Sequence, residues 1–373
     1  LKYLLCALCA AMFMGVSAFA QITTSALGGK VVDKAGEPVV GAAVVATHEP
    51  SGTVYGVVTN EDGRYVINGM RSGGPYKVEI SCLGYQTVIN TDITLQLGEP
   101  YALNSALNDD SEMLSEAMVV AQAASRFAGE KTGAATNISS KQMDALPNIS
   151  RSLEDVSKLS PYGGNGMNFA GGDGRSSNFT VDGANFNNNF GLNEGLPGGG
   201  NPISIDAIEE MQVVIAPYDV RQTNFIGGGM NAITKSGTNQ FKGSAYTYHK
   251  NEWMRGNTNY LGEEFGNRNK ERMTTYGFTL GGPIIKNKLF FFVNFERSQS
   301  PTEVNLWRAS VDGVADADHY ISRTTEADME AVKKHLMDNY GYDAGSYTDY
   351  PAAESNTKIL ARIDWNINDN HKL

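Results

Sequence analysis

The chain is poor in cysteine: of 373 residues only Cys6, Cys9 and Cys82 carry a thiol. It also lacks a basic stripe, having 41 Asp plus Glu against 30 Lys plus Arg, a formal charge of -11 and a pI near 5.0. Nucleic-acid phosphates demand clustered cations, so that class of partner is excluded. No H-E-x-x-H, G-x-S-x-G or G-x-x-x-x-G-K-[ST] pattern occurs, and no cofactor is expected. After residue 20 no apolar run approaches the roughly 20 residues that a membrane helix needs. If the mature protein sits in a membrane, it does so with strands.

What is there begins with a leader. Lys2 precedes an apolar stretch from Leu4 to about Val16, followed by Ala18-Phe19-Ala20 before Gln21. This is the charged, apolar and A-x-A order of a secretory signal, residues 1–20, too short to span a bilayer as a helix. Its removal takes Cys6 and Cys9 and leaves Cys82 alone, so no disulfide within the chain is expected. The first residue is Leu rather than Met, which points to a fragmentary gene model or an unusual start.

Residues 25–108 alternate short β-branched runs with turn residues. Strands are expected at 29–32, 43–47, 54–59, 64–67, 76–81, 86–89 and 93–97, separated by Asp33-Lys34-Ala35-Gly36, Asn60-Glu61-Asp62-Gly63, Asn68-Gly69 and Ser72-Gly73-Gly74-Pro75. Such spacing predicts an Ig-like β-sandwich. The run Gly29-Lys30-Val31-Val32-Asp33, then Gly36-Glu37-Pro38-Val39-Val40-Gly41-Ala42, then Thr59-Asn60-Glu61-Asp62-Gly63-Arg64-Tyr65 resembles the carboxypeptidase regulatory-like domain, of carbohydrate-binding-like fold. The segment holds no His/Glu/His zinc constellation. Its single histidine, His48, beside Glu49 on a strand end, is expected at the surface.

An acidic connection follows over 109–124, containing the short apolar strand Ser115-Glu116-Ala117-Met118-Val119-Val120-Ala121. An exposed segment of this kind is suited to adding itself to a partner's sheet edge. Residues 125–239 then turn rich in Gly and Asn, with a helix expected near 152–159 and strands at 178–182 and 208–215.

Three motifs here stand in order: Phe179-Thr180-Val181-Asp182-Gly183, Ile205-Asp206-Ala207-Ile208-Glu209-Glu210-Met211-Gln212-Val213 and Gly227-Gly228-Gly229-Met230-Asn231-Ala232-Ile233-Thr234-Lys235-Ser236-Gly237-Thr238-Asn239. Together they resemble the α+β plug of TonB-dependent receptors. Ala216-Pro217-Tyr218, where many members have an Arg-Gly-Pro-like turn, is similar to the Oar-like branch found in Bacteroidetes-type receptors. The resemblance implies a partner, TonB, that pairs with Glu116, Ala117, Met118, Val119 and Val120. It also implies an extracellular ligand (glycan, peptide or metal chelate) and uptake rather than catalysis. A binding or adhesion protein of the same architecture without transport is the alternative.

From residue 240 to 373 the period becomes two. Strands are expected at 241–250, 274–281, 288–298 and 358–367, the last with Ile359, Ala361, Ile363, Trp365 and Ile367 on one face and Leu360, Arg362, Asp364 and Asn366 on the other. The second and third should be joined by the tight turn 282–287, whereas 251–273 and 299–357 are long connections, the latter with a helix at 327–340. Long and short links in alternation are the rule for outer-membrane barrels. Four strands are too few to close one, since the plugged transporters that the family implies use 22. The expected chain is mainly β: sandwich, α+β plug, then the first strands of a transmembrane barrel. It lies in the outer membrane with its first domain in the periplasm. The carboxylates of the long loop (Asp312, Asp316, Asp318, Glu326, Asp328, Glu330) are expected on a solvated face rather than around a metal.

Overall fold

The structure, a computed structural model, describes residues 22–109, 118–121, 134–145, 151–187, 196, 201–217, 222–254, 256, 258, 260–263, 272–303, 307–317, 319–347, 351–368 and 371–373. Residues 1–20, expected to be a secretory leader, lie outside them. The chain divides into two compact units: one holds residues 1–243, 279–294 and 360–373, the other 244–278 and 295–359.

The first domain is a two-sheet sandwich. Its strands are β1 (Ser25–Asp33), β2 (Ala43–His48), β3 (Thr53–Val58), β4 (Arg64–Met70), β5 (Gly73–Ser81), β6 (Val88–Leu95), β7 (Pro100–Ala102) and β8 (Ser105–Leu107). One sheet runs β4-β1-β7, with β8 also on β1; the other is built on β3-β2-β5-β6. Alternation places one residue in two toward the partner sheet. Thus Leu27, Val31, Tyr65 and Ile67 of one sheet meet Val44, Ala46, Tyr76, Val78, Ile80 and Ile93 of the other, all buried. Asn60 folds its turn by accepting the N–H groups of Asp62 and Arg64 at 3.1 and 2.8 Å, the local bonding that makes Asn a turn residue. The two strands expected at 86–89 and 93–97 are a single strand, β6. Asp92 adopts φ 61 within it, where the register against β5 is irregular.

The short strand β9 (Met118–Ala121) completes the second sheet, giving β3-β2-β5-β6-β9. The central domain follows with β10 (Ala134–Ser139), α1 (Ser140–Ala145), α2 (Leu153–Ser157), β11 (Asn178–Val181), β12 (Ala184–Asn185), β13 (Ile208–Ala216) and β14 (Gly229–Thr234). Ser152 caps α2 by accepting Glu154 N–H at 3.1 Å, as an N-cap serine does. The sheet order is β10-β13-β14-β11-β12, parallel only between β11 and β14. Ile138, Leu153, Val156, Phe169, Phe179, Met211, Val213 and Met230 form its core.

Four long strands carry the remainder: β15 (Lys242–Asn251), β16 (Arg272–Ile285), β17 (Leu289–Glu303) and, after the short β18 (Arg308–Ser310), β19 (Ile321–Thr325) and helix α3 (Glu326–Tyr340), β20 (Pro351–Trp365). Their order in the sheet is β15-β16-β17-β20. β16 continues through Gly282-Pro283-Ile284-Ile285, so the expected six-residue turn contracts to Lys286-Asn287-Lys288, with Asn287 at φ 63. α3 starts at a capping box between Thr325 and Asp328 and ends on the left-handed Gly341. No helix among the described residues is long and apolar enough to cross a membrane.

Candidate functional site

Period two sorts β16, β17 and β20 into an exposed apolar face and a buried face on which Asn294, Glu296 and Asp364 stand along with Phe290 and Phe292. On β20, Ile359 and Ile363 are 76% and 61% exposed, while Asp364 between Ile363 and Trp365 is 8% exposed. Tyr276, Phe278 and Leu280 of β16 are exposed in the same manner, and Phe290, Phe292, Asn294 and Glu296 of β17 are buried. Apolar groups turned outward with charged groups turned inward is the pattern of a barrel wall, because lipid accepts the former and rejects the latter. Inside, Lys358 pairs with Glu296 at 2.8 Å, and the Tyr246 hydroxyl donates to the same carboxylate at 2.9 Å.

The central domain is fastened to this inner face. Phe292 packs into the central domain's core. Arg362 donates through Nη1 to the Thr234 carbonyl and hydroxyl at 2.9 and 3.0 Å, and through Nη2 to Asp364 at 2.8 Å. Asp182, 3.5 Å from Arg362, accepts the Thr234 N–H and hydroxyl at 2.9 and 2.6 Å. The Val181-Asp182-Gly183 motif thereby gains a local reason. Asp182 at φ 48 and Gly183 at φ 82 turn the chain so that one carboxylate holds the end of β14. Asp364 also meets Arg71 of the sandwich at 3.1 Å, so one carboxylate serves a wall strand and the first domain.

A second polar contact joins sandwich and central domain. The Leu97 N–H donates to both carboxylate oxygens of Glu210 at 3.1 Å, and its carbonyl accepts from Gln212 Nε2 at 2.6 Å and Asn137 Nδ2 at 3.1 Å. β13 is buried on both faces: Met211 and Val213 point into the central core, Glu210 and Gln212 into this contact. Burial raises the Glu210 carboxyl to about 7, the Leu97 N–H opposing and the nearby Glu209 and Glu99 reinforcing the rise. Nothing in the sequence singled out Glu210 or Gln212 beyond membership in a motif.

The sequence-predicted partner strand is placed only in part. Glu116 and Ala117 lie outside the described residues; Met118, Val119 and Val120 belong to β9. β9 runs parallel to β6, in the register Val88↔Met118, Ile89↔Val119, Asn90↔Val120 and Thr91↔Ala121.

His48 is a correction. It is 5% exposed, bonded through Nδ1 to Ser51 Oγ at 2.7 Å and set against the Tyr76 ring at 4.9 Å. Burial, aided by the Arg71 charge, depresses it to about 3, so it is a neutral core group. The alternation Val44, Ala46, His48 was the signal for this. Among the described residues no His, Cys, Asp or Glu cluster could hold a metal ion. In the long loop Asp316 pairs with His319 and Asp328 caps α3.

A carboxypeptidase regulatory-like domain model matches residues 26–108, and an outer membrane beta barrel domain model matches residues 233–373. The chain is 25% identical over 351 residues to the TonB-dependent transporter Oar of Myxococcus xanthus, covering 88% of this chain and 32% of that protein. It is 27% identical over 251 residues to the TonB-dependent receptor SusC of Bacteroides thetaiotaomicron, covering 62% and 23%. Among solved structures, the siderophore receptor PirA from Acinetobacter baumannii aligns at a TM-score of 0.37 and 16% identity, over 63% of this chain and 30% of that one. The chain thus spans about a third or less of the length of the curated relatives it matches.

These matches define an outer-membrane β-barrel protein with a periplasmic regulatory-like domain. Its two curated relatives named above are TonB-dependent, one a transporter and one a receptor, and this chain is similar to them.

Proposed function

We propose that this chain serves uptake of an extracellular ligand (a glycan, a peptide or a metal chelate) across the outer membrane, energised through TonB. Residues 125–239 would form the plug, and Glu116 to Val120 the strand offered to TonB. The observation that carries this reading is the attachment of the central domain to the inward face of the wall strands, through Phe292 and Arg362, while the outward face stays apolar. A domain held to a wall by a few side-chain contacts is one that a pull can shift. A short extended segment outside it supplies main-chain groups for a partner's strand.

The test is binding of the full-length protein to the purified periplasmic domain of TonB. Val119→Pro removes a main-chain donor and restricts its neighbour. Affinity should fall at least tenfold. Equal binding by both proteins would overturn the assignment of this strand, and with it the energised reading in favour of a receptor that binds without transport.

A further inference from the structure

Two contacts already described lie at either end of one short stretch of chain. β6 carries β9 along Val88–Thr91, and Asp92, at φ 61, stands where that ladder stops. Two residues beyond the end of β6, Leu97 has both its main-chain groups held by side chains of the central domain: N–H by Glu210, carbonyl by Gln212 and Asn137. Asn137 and Gln212 are register partners across β10 and β13, so the grip spans two adjacent strands. It has an apolar floor, because Ile22 and Leu97 pack with Ile233 of β14, and Asn231 Nδ2 donates to the Ile22 carbonyl. Gly98 keeps the approach close: at φ 68, a Cβ there would meet the Gln212 amide at 3.0 Å and Ile22 at 3.1 Å.

We propose that the sandwich is a force coupler, by which a pull on Met118–Ala121 passes through β6 to Leu97 and from Leu97 into β13 of the plug. The proposal rests on the reading that these residues are the strand engaged from the periplasm. A pull along β9 loads its ladder to β6 in shear, so its hydrogen bonds share the load rather than failing in turn. β6 passes it on through the chain to a residue whose two polar groups are both held. β13 is an interior strand, paired to β10 and β14, so force arriving there is delivered to the middle of the plug sheet. The chain itself is the other route. The twelve residues 122–133 lie between β9 and β10, and drawn straight they reach about 40 Å. The grip gives the pull a path to β13 that does not run through those residues.

The test is single-molecule pulling on the full-length protein in a lipid bilayer, through a maleimide handle at Val119→Cys in a Cys82→Ser background. Because the handle is covalent, TonB takes no part, and failure here is distinct from failure of the TonB-binding test above. In the parent the first event should be a high-force extension of plug segments. In Asn137→Ala/Gln212→Ala the first event should drop to half that force or less, and lengthen the molecule by no more than the 122–133 connection. Gly98→Ala, which presses on the Gln212 amide without removing any partner, should shift the force in the same direction. A parent that first yields a low-force extension of that connection, or variants that rupture at the parental force, would overturn the coupler.

Discussion

Arg362 of β20 donates through one nitrogen to both oxygens of Thr234, the last residue of β14, at 2.9 and 3.0 Å. The same guanidinium holds Asp364 through Nε and Nη2 at 3.0 and 2.8 Å, and a single ammonium nitrogen cannot reproduce that planar spread of donors. Arg362→Ala should therefore loosen the central domain from the wall. Asp364 would keep Arg71 and Asp182 would keep Thr234, so the expected loss is about 1–3 kcal/mol rather than that of a wholly stranded charge. Thermal unfolding of the detergent-solubilised protein should fall by a few degrees, with Arg362→Lys recovering only part of it. An unchanged transition in Arg362→Ala would count against this attachment.

Glu210, buried between the sandwich and the central domain, makes the stability of the fold sensitive to pH. Its carboxyl is raised from 4.5 to about 7, chiefly by burial, so the folded state holds the proton more tightly than the unfolded chain. The stabilisation is complete below about pH 4.5 and is lost as pH rises through 7. A shift of this size corresponds to something on the order of 3 kcal/mol. Glu210→Gln should flatten the dependence of the melting temperature between pH 5 and 8. A variant that keeps the parental slope would assign the dependence to other groups.

His48 works in the opposite direction. Burial holds it neutral and lowers it from 6.5 to about 3, so its contribution is present above pH 6.5 and lost as pH falls toward 3. Unfolding of the sandwich, followed by loss of Tyr76 fluorescence anisotropy or by proteolysis, should set in at lower acidity than in His48→Gln. No difference between the two at pH 4 would show that the buried ring is not the acid-labile element.

The alternation of apolar residues made most strands legible, including both faces of β20, because burial on one side imposes a period of two wherever the sheet is wet or lipidic on the other. Legibility failed where a local conformation imitated a boundary. Asn90-Thr91-Asp92 reads as a turn, yet only Asp92 leaves the extended region and β6 runs on. β10 and α1 went unread because Ala134–Ala145 offers mostly small and polar residues, with Ile138 and Met143 as its buried apolar anchors. The grip on Leu97 was beyond reach for a different reason. It uses two main-chain groups of one residue on one side and three polar side chains on the other, and such residues look like solvated strand positions until the second domain covers them.

Gly237 lies near the end of the motif that leads into the first long strand, and space alone accounts for it. A Cβ there would lie 2.4 Å from the Phe291 carbonyl and 2.7 Å from that of Gly282. Both neighbours are backbone, which yields little. Gly237→Ala should cost about 1–3 kcal/mol and reduce the yield of folded protein in the membrane, read by its resistance to heat in detergent. Parental yield and heat resistance would mean that the strand entry can shift to make room.

The central claim, that the middle domain closes a barrel until it is moved, is tested most directly by conductance of the full-length protein in a planar lipid bilayer. The account predicts little or no current from the intact protein and large, stable pores after deletion of residues 22–235. Open pores from the intact protein, or no pores after the deletion, would contradict it.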